Sequence, residues 1–208
     1  ASSAYVSAHA ALVEDEQELG AACIDMGGGA TGVSVFFKKH LIYADSVRMG
    51  GDHVTSDISM GLQIPTASAE RLKTLHGAME VDDREMIETG GNSGDWEHDR
   101  RQVSRSELIG IIRPRIEEIL EDVRDRLDAA GFDNLPGKQI VLTGGASQIP
   151  GLDGLAARIL GQHVRLGRPI RVQGLPQAAT GPAFSGVVGL ALNAAHPQDE
   201  CWDFEVPQ

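Results

Sequence analysis

A glycine triplet between two apolar runs, Gly27–Gly29, is the feature that most constrains the fold of this chain. Asp25 stands just before it, at the end of the apolar run Ala21–Ile24, and a second apolar run covers 33–36. Glycines in such a turn accept positive φ and let backbone N–H groups approach an anion closely. A carboxylate beside that anion can hold a metal ion or its water. A plain β-hairpin turn explains the same pattern, and for a single motif it is the favoured reading.

Composition limits the classes of partner and compartment. Across 208 residues the formal net charge is −12, which argues against broad contact with nucleic-acid phosphates, because such contact needs clustered Lys and Arg. No apolar run approaches the roughly twenty residues that cross a membrane as a helix. The two cysteines, Cys23 and Cys201, lie far apart without a paired-Cys motif, so we expect a reducing, cytoplasmic location. The chain opens on Ala1 without an initiator methionine, which predicts a piece of a longer protein.

Local patterns around the glycine triplet predict an antiparallel meander preceded by a helix. The helix is expected at Ala4–Leu12, ending in the acidic turn Glu14–Glu16. Turn residues at the glycines and at Lys39-His40 separate the strands of the meander. These strands are predicted at Gly20–Met26, Thr31–Lys38 and Leu41–Arg48.

Two helices are predicted after the meander. One begins at Gly50-Gly51-Asp52, and the other covers Ala67–His76 with Thr66 as its capping residue. On the second helix Glu70 and Lys73 are three residues apart and therefore share a face. Taken in isolation, this spacing predicts a surface ion pair.

The segment 78–103 changes in composition, and a long helix follows it. Its few large apolar residues and its glycine-rich stretch Gly90–Gly94 predict a peripheral two-strand hairpin with a long tip. Ser104 and Glu107 form a capping box, and apolar residues then recur every three or four positions. We expect a helix from there to Gly131 with a kink at Pro114. Its length suggests a small subdomain of its own.

A second glycine turn follows a short buried strand. Gln139–Thr143 has the composition of such a strand, and Gly144-Gly145 comes next, before a helix predicted at Leu152–Leu160. A strand, a double glycine and a helix together suit a backbone turn that binds a ligand. A last helix is predicted from Pro182 to Ala195. No spacing in the chain fits a P-loop, a zinc site or a nucleophile elbow.

Four motifs in a fixed order carry more information than any one of them. They are D-x-G-G-G before a meander, G-G at a helix start, E-x-x-K on the next helix, and L-T-G-G-A-S-x-x-P-G after a strand. The set resembles the actin-like ATPase superfamily, which includes actin, Hsp70 and the sugar kinases. Within it the chain is similar to the FtsA family of bacterial cell-division proteins from about Ala4 to Ala195. The stretches that carry this similarity are Leu12–Gly20, Gly50–Ile58, Ala69–Lys73 with Gly77, and Val141–Gly151.

The resemblance implies an α/β, actin-like (ribonuclease H-like) nucleotide-binding fold. In such proteins the second half consists of a core subdomain with a five-stranded sheet and an inserted outer α+β subdomain. Here the core is expected at 1–62 and 136–198, the outer insertion at 63–135, and a tail at 199–208. The resemblance also implies that the first half, which carries the other phosphate-binding turn, is missing from this sequence.

The resemblance implies a site for ATP and Mg²⁺ built from both glycine turns. Asp25 would hold Mg²⁺ through water, Glu70 and Lys73 would reach the adenosine, and Gln148 would lie at the adenine edge. The backbone at six glycines would contact or approach the nucleotide: Gly27, Gly28 and Gly29 at the phosphates with Gly51 beside them, and Gly144 with Gly145 beneath. The family pattern has Thr after the glycine triplet, and here Ala30 takes that place. Thr31 comes next and is included in the site, although neighbouring side chains of a strand point to opposite faces.

The resemblance implies an ATP-binding cell-division protein with at most weak ATPase activity and no catalytic residue in this chain. FtsA-like proteins link FtsZ filaments to the inner face of the cytoplasmic membrane and self-associate into actin-like filaments. They receive the FtsZ tail on the outer subdomain and anchor through a C-terminal helix that these residues do not include. No nucleic-acid partner is expected. The alternatives are another ATPase of the superfamily: an MreB-like filament protein, an Hsp70-like chaperone or a sugar-kinase-like enzyme.

Four arginines are candidates for pairing with an acidic FtsZ tail. They are unusual basic positions in a chain of net charge −12, although solvated surface arginines are the favoured explanation. These positions are Arg100, Arg101, Arg113 and Arg115.

Overall fold

The computed structural model describes residues 2–80, 86–88, 102–170, 172 and 174–195. Its helices are α1 (Ser3–Ala11), α2 (Glu14–Leu19), α3 (Gly51–Leu62), α4 (Thr66–His76), α5 (Arg105–Ala129), α6 (Leu152–Leu160) and α7 (Ser185–Ala195). Its strands are β1 (Ala21–Met26), β2 (Thr31–Phe37), β3 (His40–Val47), β4 (Met86–Glu88), β5 (Gln102–Ser104), β6 (Gln139–Thr143) and β7 (His163–Leu166). Short 3-10 helices lie at Phe132–Asn134, Gly145–Gln148, Gln177–Ala179 and Pro182–Phe184.

A five-stranded mixed sheet forms the centre of the molecule, in the order β3-β2-β1-β6-β7. The antiparallel pairs β1–β2 and β2–β3 confirm the predicted meander, and the parallel pairs β1–β6 and β6–β7 complete the sheet. β1 and β6 run side by side in the same direction, with Asp25 opposite Thr143 at their carboxyl ends. The segments that follow these two strands therefore leave the sheet at the same edge.

Helices cover both faces of the sheet, and the side chains of β1 alternate between them. Ala21 and Cys23 pack with α1 in one cluster of buried residues, whereas Ile24 and Met26 belong to a larger cluster on the opposite face. Because successive side chains of a strand point to opposite faces, a run of apolar residues is needed to serve both layers. The small side chains on the α1 side suit close helix packing, and α7 packs in turn against α1.

The long helix α5 extends through the larger buried cluster. It carries a stripe of buried residues, and it contacts α3, α6, β2 and β3. The buried stripe comprises Leu108, Ile109, Ile112, Ile116, Ile119, Leu120, Val123 and Leu127. The Ser104 hydroxyl accepts a hydrogen bond from the Glu107 N–H at 3.2 Å, which confirms the predicted cap, and Gly131 follows the helix with φ 67°. The kink at Pro114 stays a prediction.

The packing of α5 bears on the predicted division into two subdomains. The division placed residues 63–135 in an outer insertion, and it stays a prediction. Since α5 packs on the sheet, we propose that the inserted part ends before Arg105, where β4 and β5 form the predicted antiparallel hairpin. The tip of that hairpin and the tail 199–208 lie outside the described residues.

Several local predictions were wrong. The acidic stretch Glu14–Glu16 was predicted as a loop turn, but it forms the first helical turn of α2. The Glu16 carboxylate caps this helix by accepting a hydrogen bond from the Val13 N–H. Thr66 is the first residue of α4, and Pro65 occupies the capping position. The edge strand β7 was not predicted, since its four residues are only partly buried and lack a clear apolar pattern. The last helix begins at Ser185 after a 3-10 turn that contains Pro182.

Candidate functional site

The register of β1 and β6 brings the two glycine turns together at one edge of the sheet. The turn after β1 and the 3-10 helix Gly145–Gln148 after β6 line a cavity of about 460 Å³ together with α3 and α4. This volume lies within the range of about 300–1,000 Å³ that is usual for small-molecule sites. The lining residues are Gly27, Gly28, Gly51, Asp52, Glu70, Lys73, Thr74, Gly145, Ala146, Gln148, Ile149 and Pro150.

The first glycine turn is held against the start of α3 by backbone contacts. The N–H of Gly51 donates to the Gly27 carbonyl and the N–H of Asp52 to the Gly28 carbonyl, each at 2.9 Å. A Cβ at Gly50 would lie 2.5 Å from the Gly27 carbonyl oxygen, so only glycine allows this approach. The first amides of α3 are therefore used inside the protein and are not free to bind an anion.

The backbone amides of the two turns differ in whether they remain available. The Gly27 N–H donates to the carbonyls of Ala30 and Asp25, and the Gly144 N–H donates to the Pro182 carbonyl at 3.1 Å. Within the described part of the chain, the N–H groups of Gly28, Gly29 and Gly145 have no hydrogen-bond acceptor. Gly27 and Gly144 thus shape the turns, while the other three present donors.

Asp25 lies at the end of β1, beneath the cavity and between the two turns. One oxygen of its carboxylate accepts a hydrogen bond from the Ser7 hydroxyl at 2.6 Å. The other oxygen would lie 2.5 Å from a Cβ at residue 144, where the backbone has φ 88°, so glycine is required there. Burial raises the pKa of the Asp25 carboxyl, and the hydrogen bond from Ser7 opposes part of that rise.

A single carboxylate in this position fits a water-bridged magnesium ion. Mg²⁺ keeps several waters and commonly uses one or two carboxylates together with phosphate oxygens. One oxygen of Asp25 is left without the Ser7 hydrogen bond, and Asp25 is set back from the residues that line the cavity. The described residues contain no group of three side chains that could hold a metal ion by themselves.

Glu70 and Lys73 form an ion pair at the wall of the cavity, with Lys73 largely buried and Glu70 half exposed. Their Nζ and Oε2 atoms are 2.6 Å apart, and the Lys73 side chain is 10% exposed against 52% for Glu70. Lys73 also donates to the Thr55 hydroxyl at 2.9 Å and to the Gly51 carbonyl at 3.0 Å. Thr55 in turn donates to Glu70. The pair is therefore tied to α3 and is more than the surface pair that its spacing predicts in isolation.

This network determines the protonation of Glu70. Burial by itself would raise the pKa of the Glu70 carboxyl, but hydrogen bonds from Lys73 and Thr55 outweigh it and lower the pKa below its usual range. Glu70 is consequently a carboxylate at neutral pH and can accept hydrogen bonds from hydroxyl groups.

Thr31 does not line the cavity. Its side chain is fully buried at the start of β2, and its hydroxyl donates to the Met49 carbonyl at 2.8 Å. Ala30, which precedes it, is exposed. The structure therefore gives Thr31 a role in supporting the segment before α3, away from the other predicted site residues.

The cavity also contains residues that the sequence reasoning missed. They are Asp52, Thr74, Ala146, Ile149 and Pro150. Simple signals were available: Asp52 directly follows Gly51, and Thr74 is four residues after Glu70 on the same helical face. The other three belong to the second glycine motif. The Asp52 carboxylate lies 2.9 Å from the position of a Cβ at Gly28, so it sits directly beside the first turn.

Comparison with known protein families establishes which family the chain belongs to. The family model for "Cell division protein FtsA" matches residues 22–189. The chain belongs to the FtsA family. It is 50% identical to the FtsA of Rhizobium meliloti (strain 1021) over 191 residues, and 37% identical to that of Bacillus subtilis (strain 168) over 201 residues. These matches cover 90% and 96% of this chain, but only 43% and 44% of the relatives, so the chain spans less than half of their length.

Solved structures show the fold that this FtsA-family chain adopts. MreB5 of Spiroplasma citri bound to AMPPNP superimposes with a TM-score of 0.72 at 17% identity, covering 93% of this chain and 58% of that one. The PilM-PilN type IV pilus biogenesis complex gives a TM-score of 0.67 at 20% identity, covering 94% of this chain and 51% of that one. These likenesses confirm the predicted actin-like α/β fold. The FtsA match does not favour the alternatives within the superfamily.

Proposed function

We propose that this chain supplies one side of an ATP-binding site in an FtsA-family cell-division protein. The observation that carries the proposal is the convergence of two glycine turns with free amides on a cavity that also holds an ordered Glu70–Lys73 pair. Free amides in glycine turns suit phosphate oxygens. The MreB5 structure named above contains AMPPNP, a nucleotide analogue, which supports a nucleotide as the ligand of this fold.

The residues of the cavity divide into a phosphate side and an adenosine side. Amides of Gly28, Gly29 and Gly145 would donate to phosphate oxygens, and Asp25 would hold a water of the Mg²⁺ that accompanies them. On the other side, the Glu70 carboxylate would accept from ribose hydroxyls. Lys73 and Gln148 would border the base, Gly51 would lie beside the phosphates, and the backbone at Gly144 would pass beneath the nucleotide. The cavity lining carries a net negative charge, with Asp52 and Glu70 against Lys73, so a bound cation would reduce the repulsion of a phosphate group.

We infer binding rather than catalysis from these residues. The ligand groups assigned here bind, orient and neutralise a nucleotide, and none is placed to abstract or donate a proton during hydrolysis. Mg²⁺, when bound, would supply positive charge that neutralises the phosphates.

Affinity for Mg·ATP tests this assignment directly. We expect calorimetric titration of the 208-residue chain to give a Kd in the micromolar range or weaker, because the opposing phosphate turn implied by the resemblance is not in this sequence. Lys73→Ala should weaken binding by about tenfold or more, since it removes the ammonium group that lines the cavity and the ion pair that holds Glu70 in place. Arg71→Ala, an exposed neighbour on the same helix, is the matched control and should bind like the wild type. Submicromolar affinity, or equal loss in both variants, would contradict the assignment.

We propose further that the whole protein joins FtsZ filaments to the inner face of the cytoplasmic membrane at the division site and self-associates. The family membership supports this role. Among the described residues no helix is long and apolar enough to cross a membrane. Co-sedimentation of the family-length protein with FtsZ and lipid vesicles tests the proposal, and a protein that pellets with neither would overturn it.

Two of the arginines considered for the FtsZ contact are already engaged in this chain. Arg113 pairs with Glu117 at 2.7 Å. Arg115 pairs with Asp57 at 2.6 Å and with Glu118 at 2.5 Å. Their charges are compensated, so they are poor candidates for an acidic tail, whereas Arg100 and Arg101 lie outside the described residues. We place the FtsZ surface on the inserted hairpin region as a proposal without assigning residues.

A further inference from the structure

A serine of α1 reaches the edge of the sheet where the two glycine turns meet. Ser7 is fully buried, and its hydroxyl donates to one carboxylate oxygen of Asp25 at 2.6 Å. The neighbouring helix α7 leaves room for it, because a Cβ at Gly186 would lie only 3.3 Å from the Ser7 oxygen. Ser7 is not among the residues that line the cavity, so its influence on a ligand must pass through Asp25.

The orientation of the Asp25 carboxylate is set from two sides. Ser7 holds one oxygen, and the other lies so close to Gly144 that a Cβ there would overlap it. The terminal torsion of an aspartate is otherwise broad and roughly two-fold, so an unheld carboxylate would sample several orientations. A bridging water needs an acceptor oxygen in one fixed place, and preorganisation of this kind reduces the cost of binding.

We propose that Ser7 is a positioning residue that orients Asp25 for the magnesium ion of the nucleotide. The proposal rests on the function proposed above, in which Asp25 holds a water of Mg²⁺. Ser7 keeps one carboxylate oxygen occupied and thereby leaves the second oxygen directed for that water. Loss of the hydroxyl should therefore weaken the part of nucleotide binding that depends on Mg²⁺, and leave the part that does not.

A purely structural hydroxyl is the alternative, and the chain offers a matched control for it. Ser34 on β2 is also fully buried, and its hydroxyl donates to the Ala4 carbonyl of the same helix at 3.0 Å. Ser34→Ala removes a buried hydroxyl between α1 and the sheet without touching Asp25. If both serines only fasten α1, the two alanine variants should behave alike.

The experiment measures the Kd of ATP in the 208-residue chain with saturating MgCl₂ and again with EDTA, by NMR titration. We expect Ser7→Ala to weaken binding about tenfold in Mg²⁺ and less than about twofold in EDTA, as for loss of a hydrogen bond to a charged group. Ser34→Ala should change neither value by more than about twofold. Ser7→Cys, which keeps the volume and donates weakly, should show a Mg²⁺-specific loss between those of the wild type and Ser7→Ala, and it serves as the test if Ser7→Ala does not fold.

The outcomes separate this proposal from the function on which it rests. A Ser7→Ala loss that is equal in Mg²⁺ and EDTA, or absent, overturns the positioning role while the binding proposal stands. A wild-type chain that binds ATP equally well with and without Mg²⁺ overturns the proposed role of Asp25, and the role of Ser7 falls with it. A Mg²⁺-specific loss in the serine-7 variants, against an unchanged Ser34→Ala, supports both.

Discussion

At the scale of single residues, Gly144 shows how closely the two turns approach. Its φ of 88° is strained for any residue with a Cβ, and a Cβ would lie 2.5 Å from both Asp25 and the Met26 carbonyl oxygen. We predict that Gly144→Ala lowers the free energy of unfolding by about 3 kcal/mol or more, from backbone strain and overlap together. Urea unfolding of the purified variants measures this change.

Gly154 provides the control for that substitution. It lies inside α6, and a Cβ there would meet no atom within 4 Å. Gly154→Ala should leave the protein as stable as the wild type or raise its stability by up to about 1 kcal/mol, because alanine favours a helix. A Gly144→Ala protein as stable as Gly154→Ala would show that the turns are not packed as described.

The ion pair at Glu70 predicts how stability depends on pH. Its pKa is lowered in the folded protein, so the unfolded chain binds the proton more readily and the pair stabilises the fold above the unfolded pKa of about 4.3. We predict that the wild type is more stable than Glu70→Gln at neutral pH. The difference should disappear as the pH falls from about 4.3 through the lower, folded pKa.

Thermal unfolding across a pH series measures that difference. Glu121→Gln on the exposed face of α5 is the control, and it should track the wild type at every pH. If the wild type stays more stable than Glu70→Gln by the same amount down to the lowest pH at which the protein folds, the charge of the Glu70 carboxylate is not the source of that stability.

Seven of the twelve residues that line the cavity were among those predicted from the sequence, but the sequence could not say which backbone amides are free. The glycine motifs mark turns because glycine alone accepts their backbone geometry, and that information is local. Whether an amide points at a ligand depends on partners far along the chain: Pro182 occupies the Gly144 N–H, and α3 holds the turn at Gly27. Thr31 illustrates the same limit, since its hydroxyl is used by the carbonyl of Met49, eighteen residues further along the chain.

At the scale of elements, the contact of α3 with α5 links the start of the site to the longest helix. Arg115 of α5 makes two hydrogen bonds to the Asp57 carboxylate of α3, at 2.6 and 3.2 Å. The two side chains are 27% and 21% exposed, so water screens them only in part. A double-mutant cycle of Asp57→Ala and Arg115→Ala should give a coupling energy of about 1 kcal/mol.

The pair Arg113–Glu117 within α5 is the matched control for that cycle. It is more exposed and joins residues four apart on one helix, so we expect a coupling of only about 0.3–0.5 kcal/mol. Equal couplings in the two cycles would mean that Arg115 does not hold α3 and α5 together.

Element types were predictable where periodicity was strong, and uncertain where it was short. The meander, α5 and β6 each have the apolar pattern of their class and appear near the predicted bounds. β7 has only four partly buried residues, so its pairing with β6, rather than its own pattern, makes it a strand. The long helix was assigned to an outer subdomain on its length, and that assignment stays a prediction. The contacts of α5 with β2 and β3 support our proposal that the inserted part ends before this helix.

At the scale of the whole molecule, the described residues form two buried clusters, one on each face of the central mixed sheet. The larger cluster of buried residues extends from β1 through α3 and α5 to α6, and it ends beneath the cavity at Ala146 and Ile149. The proposed binding site is thus built at the ends of packed helices and strands, which is where accurate ligand positioning is easiest to achieve. The parallel pairing of β1 with β6 could not be read from sequence spacing, because more than a hundred residues separate them. The resemblance to a known fold implied a five-stranded sheet but not this pairing.

The central claim is that the two glycine turns bind the phosphates of a nucleotide, and an NMR titration of the nitrogen-15-labelled chain with Mg·ATP tests it most directly. We predict the largest amide shifts at Gly28, Gly29 and Gly145, whose N–H groups have no acceptor among the described residues, and none at Gly154 of α6, which does not line the cavity. A chain whose glycine turns show no shift at millimolar Mg·ATP, or whose shifts concentrate away from the cavity, would contradict the account.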